Sequence, residues 1–151
     1  MPDVARLHHT GLTVTDLDRS IAFYRDLLGF EVVGEQERRG GYFGTIVGYP
    51  DAHARLAHLS VPGSDDRIEL IQYISPAPRA GELEPRTVGA THVCLVVEDL
   101  TSLYERLVAA GVDSWFTPPV EIDSGMNTGG LALYFRDPDG IILELFQPAK
   151  R

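Results

Sequence analysis

Cysteine is almost absent: Cys94 is the only one among 151 residues. One thiol builds no internal disulfide framework, so the fold must rest on an apolar core, and a reducing cytoplasm is the expected home. Long apolar runs are missing too. No stretch approaches the roughly 20 residues of a membrane-spanning helix, and the start, MPDVARLHHTG, lacks the apolar centre of a signal peptide. Positive charge is scarce, with 13 Lys and Arg against 22 Asp and Glu and a formal net charge of -9. Such a surface repels phosphate backbones, which argues against a nucleic-acid partner. An anionic small molecule is still admissible where arginines gather, and Arg38, Arg39, Arg55, Arg67 and Arg136 are available. The remainder is ordinary globular composition, 44% hydrophobic and 23% charged.

What the chain does contain is one unit written twice. Residues 9–29 read HTGLTVTDLDRSIAFYRDLLG, and residues 92–111 read HVCLVVEDLTSLYERLVAAG. Each opens on His, runs through a β-rich apolar stretch, meets an Asp-Leu pair and an amphipathic segment, and closes on Gly. The Gly follows the His by 20 residues in the first copy and by 19 in the second. Asp16 or Asp18, and Asp99, have the side-chain oxygens of helix N-caps. Ile21, Tyr24, Leu27 and Leu28 recur at helical spacing, as do Leu100, Leu103, Leu107 and Val108. Gly29 and Gly111 fall where a helix ends at positive φ.

Strands are expected to follow in each copy. FEVV, the run around GYFGTIVG, ARLAHLSV and RIELIQY read as strands in the first, with PGSDD as a hairpin connection. LALYFRDPDGIILELFQ reads as a hairpin around Asp137-Pro138-Asp139-Gly140 in the second. The fold class is therefore α+β, with a mixed, curved sheet and helices on its outer face.

Each copy also starts a strand with His and carries a carboxylate in a later one, so His9 aligns with His92, and Glu69 (RIELIQ) with Glu144 (ILELFQ). Alternation puts His9, Gly11 and Thr13 on one face, and leaves Thr10, Leu12 and Val14 to pack under the helix. His92, Cys94 and Val96 share a face in the same way. Glu69 shares its face with Ile71 and Tyr73, and Glu144 with Ile142 and Phe146. A carboxylate embedded in so apolar a strand needs a cation or strong hydrogen bonds. Two His and two Glu, repeated symmetrically, point to a metal centre made of His9, Glu69, His92 and Glu144. His8 reads as structural, His53 and His58 are weaker candidates, and Cys94 reads as core packing.

The motifs HTGLTVTDLDRSIAFYRDLLGF, RIELIQY, HVCLVVEDL and YFRDPDGIILELF resemble the vicinal oxygen chelate superfamily over almost the whole chain. That group includes glyoxalase I, methylmalonyl-CoA epimerase, extradiol ring-cleaving dioxygenases and fosfomycin- or bleomycin-resistance proteins, and the glyoxalase and epimerase branch is the nearest. The resemblance implies two paired βαβββ modules forming a cup around a metal. Residues 1–151 are then one domain, made of module 5–75, connector 76–88 and module 89–148. It also implies one divalent ion (Ni, Co, Mn, Fe or Zn) on His9, Glu69, His92 and Glu144, a homodimer, and a small-molecule substrate such as a glutathione or coenzyme A conjugate.

The chemistry implied is proton movement alpha to a metal-polarised carbonyl through an enediolate, with Glu144 or Glu69 as base. The segment GYPDAHARLAHL resembles the place where epimerases carry an extra acidic base, which makes Asp51 a third catalytic candidate beside its plainer reading as a turn aspartate. Ring-cleaving dioxygenases are the alternative. LYFRDPDGIILE fits much of their signature, but DSGMNTGG upstream holds no His, and Glu69 crowds the open face such an ion needs. The other alternative is an antibiotic-binding protein without catalysis, against which the retention of all four ligands argues.

Overall fold

The computed structural model describes residues 4–81 and 83–150. Glu82 of the expected connector, and residues 1–3 of the stretch read for a leader, lie outside the described residues. The chain divides into two compact units, residues 1–80 and 81–151. Among the described residues no helix is long and apolar enough to cross a membrane.

The first unit holds β1 (Thr10–Thr13), α1 (Leu17–Ala22) running on into a π-helical stretch (Phe23–Leu27), β2 (Glu31–Arg39), α2 (Gly41–Val47), β3 (His53–Ser60) and β4 (Arg67–Ser75). Its sheet has the order β1-β4-β3-β2, with β1 parallel to β4 and the other pairs antiparallel. The second unit holds β5 (His92–Val96), α3 (Leu100–Ala109), β6 (Val120–Glu121), β7 (Leu131–Arg136) and β8 (Ile142–Gln147). Its order is β5-β8-β7-β6, again with one parallel pair, β5 and β8. The fold is α+β with two four-stranded mixed sheets, one in each unit.

The repeated helix starts are capped alike. Asp16, rather than Asp18, accepts the Arg19 N–H at 3.0 Å, and Asp99 accepts the Ser102 N–H at 3.0 Å. A second tie joins each helix to the strand that carries a glutamate. Leu17 N–H donates to Gln72 Oε1 at 3.0 Å, and Leu100 N–H to Gln147 Oε1 at 2.7 Å. Both glutamines stand three residues past their glutamate. Free N–H groups at a helix start need such partners, so the same atoms that cap the helix fix its height on the strand. Gly29 and Gly111 close the helical segments at φ 77° and 90°, a region a side chain would disfavour.

Alternation along the strands separates two faces. Leu12, Val14, Ile68, Leu70 and Leu59 are buried beside the α1 residues Leu17 and Ile21. In the second unit Leu133, Phe135, Leu143 and Leu145 are buried, as are Leu100 and Leu107 of α3.

The run GYFGTIVG, expected as a strand, is the helix α2. Its β-rich composition is overruled by its ends: Gly40 and Gly41 enter at φ 50° and 59°, and Gly48 leaves at 79°, turns that a strand would not make. Phe43 and Val47, one helical turn apart, then join Ala54, Leu56, Ile71 and Tyr73 in a second apolar cluster. The register pairs Ala54 with Tyr73, Leu56 with Ile71 and His58 with Glu69, so α2 covers the far end of the face that carries Glu69.

Candidate functional site

In the first unit β1 begins at Thr10, and His9 sits immediately before it rather than inside the strand. Its Nε2 lies 3.8 Å from Glu69 Oε1. Its Nδ1 meets His8 Nδ1 at 2.7 Å, so His8, expected on the opposite face, lies against its neighbour. Glu69 is half-buried, its side chain 15% exposed, and its other oxygen, Oε2, faces His58 Nε2 at 3.3 Å.

His58 carries more than the sequence reading gave it, because β3 places it directly across from Glu69. Its Nε2 also meets Gln36 Nε2 at 3.1 Å, while the Gln36 oxygen accepts from the Arg38 guanidinium. A guanidinium offers only donors, so the Gln36 oxygen must face Arg38 and its NH2 must face His58. His58 Nε2 therefore stands between the Gln36 NH2 and Glu69 Oε2.

In the second unit β5 and β8 run parallel, which brings His92 Nε2 to 3.0 Å from Glu144 Oε2. Tyr134, opposite Glu144 on β7, sets its hydroxyl 3.2 Å from His92 Nε2. Burial, then the Glu144 charge, hold the Tyr134 phenol above its ordinary value, so it stays a donor at neutral pH. Cys94, expected as core packing, is instead exposed on the same face. Desolvation of its sulfur, then the charge of Glu144 and a hydrogen bond to it, push the thiol up to about 11. It is therefore a protonated neighbour of Glu144 at neutral pH.

His58 and Tyr134 occupy matching places, each across the sheet from its module's glutamate. Extending the repeat comparison to the middle strands would have paired them, since the glutamate follows by 11 residues in one copy and by 10 in the other.

The structure gathers His9 with Glu69, and His92 with Glu144, each pair within its own unit. Among the described residues no three His, Cys, Asp or Glu side chains gather closely enough to hold an ion by themselves. Asp51 lies in the exposed turn closed by Ala52 N–H on Tyr49 O at 2.8 Å. Several arginines expected to be open to an anion are engaged locally. Arg55 makes two bonds to Asp18, at 2.9 and 3.0 Å. Arg39 meets Glu37 at 3.1 Å, and Arg136 reaches the carbonyls of Leu83 and Gly140. His53 bonds Glu37 at 2.5 Å.

A model of the Glyoxalase/Bleomycin resistance protein/Dioxygenase superfamily matches residues 6–145. The chain is 31% identical over 143 residues to the uncharacterized protein YwkD of Bacillus subtilis, covering 93% of this chain and 95% of that one. It is 32% identical over 110 residues to an ethylmalonyl-CoA/methylmalonyl-CoA epimerase of Cereibacter sphaeroides, 72% of each chain. Its backbone is similar to a crystal structure of a glyoxalase family protein from Bacillus cereus, with a TM-score of 0.84, 22% identity, and 99% of this chain and 97% of that one covered.

Proposed function

Because the chain belongs to the Glyoxalase/Bleomycin resistance protein/Dioxygenase superfamily, we propose that it is a metal-dependent lyase or isomerase of the glyoxalase I or methylmalonyl-CoA epimerase type. Relatives named as epimerase, lyase and dioxygenase all match this sequence, so membership alone does not choose among reactions. The observation that carries the reading is the duplicated pair: in each unit an imidazole nitrogen stands 3.0–3.8 Å from a half-buried glutamate on matching strands.

The donors suit a divalent ion. Two imidazoles and two carboxylates are the nitrogen and oxygen set that Ni, Co, Mn, Fe or Zn accept. His9, Glu69, His92 and Glu144 would hold one such ion, with the two modules working as one domain. When bound, it would draw electron density from a substrate carbonyl and so acidify the neighbouring C–H bond.

The rest falls to side chains. A glutamate oxygen, of Glu144 or Glu69, takes the proton, the C–H electron pair stays on carbon, and the glutamate returns the proton to the same or the adjacent carbon. Return to the opposite side of the same carbon is an epimerisation. Tyr134, its hydroxyl 3.2 Å from His92 Nε2, and Cys94, a protonated neighbour of Glu144, help keep the His92–Glu144 pair oriented through the cycle. Asp51, on its exposed turn, is the further acidic group of the proposal. A glutathione or coenzyme A conjugate as substrate and a homodimer as the working form complete it.

The test is metal content of protein purified without chelators, beside Glu69→Ala and His92→Ala, followed by assays on the methylglyoxal–glutathione hemithioacetal and on methylmalonyl-CoA. About one divalent ion per chain, lost in both variants, with turnover of either substrate, supports the reading. Metal kept in Glu69→Ala and lost in His92→Ala moves ring cleavage ahead. No uptake even after reconstitution with each of the five metals sinks it.

A further inference from the structure

Between α2 and the connector, the first unit opens a cavity of about 330 Å³, lined by Thr13, Tyr49, Tyr73, Pro76, Pro78 and Arg79 together with Ala77. That is the low end of small-molecule sites. Its chemistry is one-sided. A guanidinium, two phenols and a hydroxyl line it, and among the described residues no carboxylate does, in a chain with 22 acidic side chains against 13 basic ones. Arg79 makes no ion pair among the described residues, unlike Arg55 and Arg39, which are already engaged.

Its place on the sheet relates it to the His9–Glu69 pair. Thr13 shares a strand face with Gly11 and lies four residues beyond His9; Tyr73 shares a face with Ile71 and Glu69 and lies four residues beyond Glu69. Four residues of parallel strand advance about 13 Å. Between the two ends the floor is low. Gly11 has no side chain, and a Cβ there would meet nothing nearer than Ile71 at 3.9 Å. Beyond it Tyr73 is braced by Phe43 at 6.2 Å and by the edge of Tyr49 at 6.5 Å. The face thus runs from imidazoles and a carboxylate, over a glycine and an isoleucine, to a pocket of donors.

We propose that this pocket is a subsite for the anionic end, carboxylate or phosphate, of an elongated ligand that lies over Gly11 with its other end at His9 and Glu69. Arg79 supplies the charge, Tyr49, Tyr73 and Thr13 supply hydrogen bonds, and the prolines wall the end of the track. The proposal deepens the functional reading by naming the substrate class: a carbonyl compound with a negative group about 13 Å from its reacting carbon. Its charge selectivity does not depend on a metal being bound.

The test titrates three probes into the full chain by calorimetry: a linear oxo acid of about ten carbons, long enough for the span, its methyl ester, and the matching alkyl phosphate. Each is run on metal-free protein and again with Mn²⁺. The expected result is at least about tenfold tighter binding of an anionic probe than of the ester, with Arg79→Gln reducing the anion to the level of the ester. Gly11→Ala, whose Cβ would meet nothing nearer than Ile71 at 3.9 Å, should weaken all three while leaving the melting temperature unchanged. The tighter of the acid and the phosphate identifies the anion. Selectivity that survives in metal-free protein while Mn²⁺ alters nothing would keep the subsite and remove the metal reading. Acid, phosphate and ester binding within twofold of each other, selectivity retained in Arg79→Gln, or no binding of any probe would overturn the subsite, whatever the metal does.

Discussion

Replacing Gln72 by Leu should loosen the first helix from the strand that carries Glu69. Leu17 is 1% exposed, and its N–H donates to Gln72 Oε1 at 3.0 Å. Leucine leaves that buried donor without its acceptor, a loss of about 1–3 kcal/mol. The new apolar side chain is only half-buried, as Gln72 is, and offsets under about 1 kcal/mol of this. The net expectation is about 1–2 kcal/mol, or roughly 3–8 °C in melting temperature for a chain of this size. Gln72→Glu is the control. A carboxylate accepts the same N–H and sits favourably at a helix N-terminus, so it should stay within about 0.5 kcal/mol of the parent. Gln147→Leu repeats the experiment in the second unit, where the bond is shorter, 2.7 Å, and should cost at least as much. The assay is urea unfolding followed by far-UV circular dichroism. Loss under about 0.5 kcal/mol in Gln72→Leu, or equal damage from Glu and Leu, would refute the capping argument.

Three further outcomes are expected. Gly44→Ala would set a Cβ 2.4 Å from Pro50 O and 2.7 Å from Tyr49 O; those are backbone atoms, so the turn must shift at a cost of about 1–3 kcal/mol, read as a lower urea midpoint. Phe135→Ala removes a fully buried ring stacked 4.9 Å from Trp115, which should cost about 3–5 kcal/mol and redshift the emission of the only tryptophan. Asp99 is held below the usual carboxylate range, first by the Ser102 N–H and then by its hydroxyl. A depressed pKa means stability that is present above the unfolded value, near 3.9, and lost as the pH falls through the lower folded value. Asp99→Ala should therefore be less stable at neutral pH and show a flatter decline on acidification; parallel melting curves from pH 7 to 2.5 would count against it.

The strands RIELIQY and ILELFQ were readable because their apolar residues alternate, and Leu70 and Leu145 are indeed fully buried beside half-buried glutamates. The cap aspartates and the closing glycines were readable because their signals are local: a side chain bonding three residues on, or a φ that only glycine takes easily. GYFGTIVG misled because composition was weighed above its glycine ends. Arg55 misled for another reason. Whether a guanidinium is free depends on what lies opposite, and Asp18, 37 residues away in sequence, is opposite.

The sequence by itself determined the duplicated unit, the α+β class and the His and Glu positions that recur in it, since repetition and period are properties of residue order. Only the tertiary structure decided that His58 faces Glu69, that Tyr134 faces His92, and that Arg79 joins two tyrosines around a cavity. Those neighbours come from strand register and from the path of a connector. Both are set by hairpin geometry and packing across many residues, which no local pattern encodes.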